Sequence, residues 1–333
     1  MLRHKADLRS LAFLATYFGL VTGGWLLDPS SWLVRVPLVA ATCVFSFFCA
    51  VITHNSIHAP VFRGRTMSSL FKVVLSLAYG HPVSSYVPGH NLSHHDWMQS
   101  RRDVMRTTKL RFRWHLLNQL TFLYVVGGAI TRAELTYLRV SFRKRPRWAR
   151  QFMFETVVFL GAYAALLAID WRRFILFVII PHAYAAWGIV GMNLVQHDGC
   201  DPEHPYNHSR NFVGKWINWW TFNNGLHGIH HMYPSLHWSK LPARHAEVLG
   251  PHLHPALAQE SLFPYLWRTY IWPGKRLDYL GRPVVLAEEG PDEPWIQGEP
   301  GVPEPPPKIR IPRAATLATT AAIATGSDQA SAA

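Results

Sequence analysis

Four stretches of the sequence gather histidine at spacings that could place several imidazoles around one metal: HNSIH from His54, HNLSHH from His90, NLVQH ending at His197 and HGIHH from His227. His54 and His58 are four residues apart, so on a helix they share a face one turn apart. His227, His230 and His231 combine spacings of three and four, and His90, His94 and His95 repeat that pattern with one residue more between the first pair. In a chain with nineteen histidines a single cluster is weak evidence. Four clusters that can meet on one side of the molecule are much stronger. Imidazole suits Zn, Cu, Fe and Ni. One such ion takes about six ligands at most, so nine histidines are too many for one site and suit two.

What must position these rings is membrane-spanning helix. Residues 10–27 and 36–53 run without a charged side chain, residues 174–196 do the same, and 152–169 carries a single acid, Glu155, near its start. About 20 apolar residues at 1.5 Å each cross a hydrocarbon core, so the fold class expected is an all-α integral membrane protein with four spans. DPSS after Leu27 and DWRR after Ile169 are short links, which pairs the spans into two hairpins. With the N-terminus inside, span two ends at His54 and span four at His197 on the same, cytoplasmic face. Residues 54–150 and 197–285 then form a helical cytoplasmic cap that holds a histidine-rich dimetal site. His115 to Thr131 is apolar but marginal in length. A crossing there would put His197 opposite the first two clusters and export the basic residues that follow, so it reads as interfacial or half-inserted, as does Ser68 to Val87.

Thirteen of the Lys and Arg residues lie between Arg101 and Arg150 and supply much of the net charge of +13. Beside spans such a block marks the cytoplasmic face and anionic lipid rather than nucleic acid. Cys43, Cys49 and Cys200 form neither a disulfide framework nor a CxxC site. The membrane domain is drawn as residues 1–285. Beyond it EPGVPEPPPK and an Ala and Thr tail are too poor in apolar residues to offset their ordering entropy, so 286–333 is expected to be disordered.

HNSIH, HNLSHH and NNGLHGIHHMYP resemble the three histidine boxes of the membrane fatty acid desaturase superfamily, over roughly Leu11 to Pro242. NLVQH adds an Asn and a His at the spacing that the stearoyl-CoA desaturases carry at the end of their fourth span. The resemblance implies two iron ions held by His54, His58, His90, His94, His95, His197, His227, His230 and His231, with Asn193 holding a metal-bound water. It also implies O2 as co-substrate and no catalytic residue separate from the metal site. The expected reaction is desaturation of a fatty acyl chain on a lipid, CoA or acyl carrier protein, with hydroxylation or ketolation of an alkane, sphingolipid or carotenoid as the alternative. A metal-binding or transport protein without catalysis would need polar groups lining a path through the spans, where His182 stands nearly alone. The chain has no HPGG haem motif, no CxxC series and no GxGxxG fingerprint, so electrons are expected from a separate ferredoxin or cytochrome b5 type donor with its reductase. In a bacterium the location would be the inner membrane. Asp96, Asp198, Asp201 and Asn224 flank the boxes and are candidates to hold the second ring nitrogens. His204 and His208, in HPYNH, sit in a Pro and Asn loop where helical spacing does not apply.

Overall fold

The computed structural model describes residues 1–286 and 288–306. Among these, four helices are long and apolar enough to cross a membrane: α1 (Asp7–Leu27) and α2 (Trp32–His58), then, after α3 (Arg65–Tyr79) and α4 (His115–Lys144), α5 (Pro146–Ile169) and α6 (Trp171–His197). Each contains one of the expected spans and is longer than it. A charge-free run marks only the part that needs lipid, whereas the backbone ladder continues through polar residues. The last turns of α2 and α6 therefore carry His54, His58 and His197.

α2 packs against both α1 and α6, and α4 packs along α6. Arg173 ties the two short links together, reaching Asp28 at 3.2 Å and Asp170 at 3.1 Å. Asp170 in turn caps α6, its carboxylate accepting from the Arg172 and Arg173 backbone N–H groups at 2.9 and 3.1 Å. α4 runs on past Thr131 to Lys144 as one amphipathic helix. Its buried stripe is Phe122, Val126, Ala129, Ala133 and Tyr137, while Tyr124 and Leu135 face outward.

The remaining chain caps the α2 and α6 ends with short pieces: a π-helical segment Val87–His94, α7 (Lys215–Trp220), α8 (His227–Met232) and a parallel pair of two-residue strands, Asn211–Phe212 and Ala258–Gln259. Trp220 stacks on Phe48 at 5.4 Å, and Phe13 packs against both, which fastens this cap to α1 and α2. Trp216 and Trp219 remain exposed.

The boundary expected at residue 285 does not hold for the segment that follows. Trp295 and Ile296 are buried, with the Trp295 ring stacked 6.2 Å from Tyr137. Arg106 pairs with Glu289 and Asp292, and Arg102 reaches Glu293 at 2.7 Å. Two apolar anchors and a run of acids facing the basic block give this stretch what its Pro-rich composition concealed. Residues 307–333 of the expected disordered tail lie outside the described residues.

Candidate metal centre

The nine predicted histidines come together in two groups. His54, His58, His90, His95 and His230 bring one ring nitrogen each within 4.8 Å of one another, and His94, His197, His227 and His231 do the same. All are buried except His58, which is partly exposed. The second cluster reaches this position through a π turn: the His95 N–H bonds to the His90 carbonyl five residues back, which brings His90 and His95 into one group. Neighbouring residues on a helix point about 100° apart, and so His94 and His95 serve different groups, as do His230 and His231.

The ring nitrogens are spaced as ligands of a common ion would be. In the group of four the Nε2 atoms of His197, His227 and His231 form a closed triangle with edges of 2.9, 3.1 and 3.2 Å. Hydrogen bonds do not explain a triangle, since Nδ1 of His197 faces the His208 carbonyl at 3.3 Å and, as the donor there, leaves Nε2 with a lone pair only. Lone pairs converging on a cation do explain it. Metal–nitrogen bonds of 2.0–2.1 Å at right angles give nitrogen separations of about 3 Å. In the group of five, His95 Nε2 lies 3.1 Å from His90 Nε2 and 3.2 Å from His230 Nε2. Burial above all, and then the neighbouring imidazoles, hold His90, His95, His227, His230 and His231 well below the ordinary imidazole pKa. Near neutral pH these rings are uncharged, the form that binds metal. The donor set fits two transition-metal ions.

Behind His94 stands a carboxylate that sequence reasoning did not name. His94 Nδ1 lies 2.9 Å from Asp103, a fully buried carboxylate that also accepts from the backbone N–H groups of Gln99 at 2.9 Å and Met105 at 2.8 Å. Of the flanking candidates, Asp198 pairs with Arg276 at 2.6 Å, Asp201 closes a turn on the Glu203 N–H, Asn224 accepts from Gln196, and Asp96 accepts from Gln297. His54 Nδ1 faces the Asn55 side chain at 3.2 Å. His204 is a turn residue, accepting from the Tyr206 and Asn207 N–H groups. His208 belongs to neither group, although its carbonyl holds His197 and burial pushes its own pKa down to about 4.

A cavity of about 410 Å³ opens from this centre. His54, His90 and His227 border one end, and it runs between α4 and one stripe of α6: Gln196, Asn193, Val190, Ala186, Ala183 and His182. Asn193 faces it while donating its amide N–H to the Met105 carbonyl at 2.9 Å. Between the histidines and the far end the walls are mainly apolar, as at Leu123, Ile130, Ile189 and Met192.

The sequence matches the family model described as fatty acid desaturase over residues 30–261. The chain belongs to the fatty acid desaturase family. It is also 22% identical to alkane 1-monooxygenase of Ectopseudomonas oleovorans over 286 residues, which cover 80% of this chain and 67% of that protein. No solved structure matches. As a family member with these helices and histidine groups, the protein is a multi-pass membrane oxidoreductase of the desaturase and hydroxylase superfamily.

Proposed function

We propose that the protein is an O2-dependent di-iron acyl desaturase. It takes hydrogen from two neighbouring carbons of a fatty acyl chain, carried by lipid, CoA or acyl carrier protein, and leaves a double bond. The observation that carries this reading is the junction of two imidazole groups with the end of a long, mainly apolar cavity.

His54, His58, His90, His95 and His230 would hold one iron, and His94, His197, His227 and His231 the other. When bound, the irons supply the activation of O2 that cleavage of an unactivated C–H bond requires. The protein's own part is placement. Neutral rings leave the charge of the ions uncancelled, Asp103 fixes the tautomer of His94, and the walls of α4 and α6 hold an alkyl chain against the histidines while keeping water out. With its N–H given to Met105, Asn193 keeps its amide oxygen to receive a water. No side chain is asked to act as a general base.

The arrangement expected is two hairpins with the histidine groups on the cytoplasmic face, in the inner membrane of a bacterium. There the basic block between Arg101 and Arg150, of which Arg139, Arg143 and Arg147 stay exposed, would meet a separate acidic electron donor of ferredoxin or cytochrome b5 type, itself served by a reductase. Desaturation stands first because the Asn193 and His197 pairing resembles the desaturase branch. Hydroxylation is the second reading, favoured by the similarity to alkane 1-monooxygenase. Product analysis with a deuterated acyl chain under isotopically labelled O2 separates them. Loss of deuterium from adjacent carbons without labelled oxygen in the product is expected, and a mainly oxygen-labelled alcohol or ketone would replace the first reading by the second.

A further inference from the structure

The far end of the cavity is polar, and the proposed reaction does not use it. His182 lies in the middle of α6, eleven residues before Asn193, or about 16 Å along the helix at 1.5 Å per residue. Its ring is held from both sides by tyrosines of other spans, Nε2 at 2.7 Å from the Tyr17 hydroxyl and Nδ1 at 2.5 Å from the Tyr163 hydroxyl. The backbone makes room for it. Gly80 adopts φ +84°, and a Cβ there would stand 2.4 Å from the His182 ring. His182, Tyr163, His81 and Glu134 all border the cavity, and His81 and Glu134 face each other at 3.3 Å. An ionisable residue seated this deliberately inside a span calls for a role.

A count of hydrogen-bonding capacity says what that role is. A neutral imidazole has one donor and one acceptor nitrogen, so the tyrosine at the acceptor nitrogen donates to His182, and the one at the donor nitrogen accepts a ring N–H that it shares with the Leu77 carbonyl. Tyr17 is buried and lies off the cavity, whereas Tyr163 borders it. If Tyr163 donates to the ring, its oxygen is left to accept. If it accepts, its O–H is left to donate. In both cases one hydrogen-bonding function of Tyr163 remains, at the cavity end remote from the histidine groups. A methyl end of a substrate leaves that function unmet. A carbonyl meets it in one proton order only, and a carboxylate would bring an unpaired charge to mid-span beside Glu134. A hydroxyl meets it in both.

We infer that the cavity takes a long-chain substrate bearing a neutral hydroxyl at its far end, bound by Tyr163 with His182 as the positioning residue behind it. This rests on the long-chain reading of the cavity above. The test is equilibrium binding of radiolabelled dodecanol, dodecane and dodecanoate to the purified full-length protein in nanodiscs, corrected for empty nanodiscs. Dodecanol should bind roughly tenfold more tightly than dodecane, the worth of one well-placed hydrogen bond. Dodecanoate should bind no better than dodecane. Tyr163→Phe should bring the dodecanol to dodecane ratio to about one while leaving the dodecane affinity unchanged. Equal binding of dodecanol and dodecane by the unaltered protein overturns the inference whatever the variant does, and so does a preference that survives Tyr163→Phe. Binding of none of the three chains overturns the long-chain reading along with it.

Discussion

The group of five histidines and the group of four share their ring chemistry and differ in what stands behind the rings. In the group of four every ring is buried, His94 is backed by the Asp103 carboxylate, and His197 is backed by the His208 carbonyl. Asp103 is itself held by two backbone N–H groups, so the anion is fixed before any metal arrives. In the group of five, His58 is partly exposed, His54 leans on the neutral amide of Asn55, and His95 Nδ1, like His227 Nδ1 in the group of four, has no hydrogen-bond partner among the described residues. A carboxylate behind an imidazole raises its basicity and locks its orientation, commonly worth 10- to 100-fold in metal affinity. The comparison teaches that the group of four sets fewer rings against a fixed anion behind His94 and a carbonyl behind His197.

Three experiments bear on this difference. The harshest is removal of a ring from the group of four, which has none to spare. His231→Ala should lose roughly half of the bound iron and reduce turnover by several orders of magnitude, as read by metal analysis and product formation. One zinc per chain in the unaltered protein, with no iron, would remove the basis of the comparison. A subtler change erases the asymmetry without touching a ligand. Asp103→Asn keeps the shape but removes the charge, and chelator competition should show the metal of the group of four weakened by roughly 10- to 100-fold while that of the group of five stays as it was. If both weaken equally, Asp103 is not what separates the two groups.

The smallest effect is expected at His208, whose carbonyl rather than ring serves the site. His208→Gln should leave the iron content unchanged. It should nevertheless alter the pH dependence of folding. The folded ring titrates near pH 4 and the unfolded one near 6.5, so below pH 6.5 the unfolded chain takes up a proton that the folded chain refuses. The stability present above pH 6.5 is therefore lost as the pH falls toward 4, on the order of 3 kcal/mol at most. Thermal unfolding from pH 7.5 to 4 should show a shallower decline in the variant.

The spans were legible in the sequence because lipid forbids charge over a fixed length, and the candidate ligands because few other purposes gather histidine at helical spacing. Asp103 was not legible. It sits among Arg101, Arg102 and Arg106, where an acid looks like ordinary charge balancing, and it reaches His94 only after the loop between them folds back. The π turn was hidden for a related reason, since the spacings in HNLSHH read equally well on an α-helix. The docking of residues 288–299 depends on Trp295 and Ile296 finding Tyr137 and its surroundings, which composition averages away.

The division of each adjacent pair, His94 with His95 and His230 with His231, has a consequence for how the enzyme is made in the cell. Neither histidine group is complete until the segment after α3 and the helix α8, more than a hundred residues later in the chain, have met over the ends of α2 and α6. The N-terminal half already carries four of the five rings of one group, His54, His58, His90 and His95, but only His94 of the other. The group of four would therefore be loaded only after α6 and α8 are in place, whereas the group of five would gain only its last ring, His230, at that stage. With the proposed irons as occupants, starvation for iron should leave a membrane-inserted precursor that can still be loaded without new synthesis.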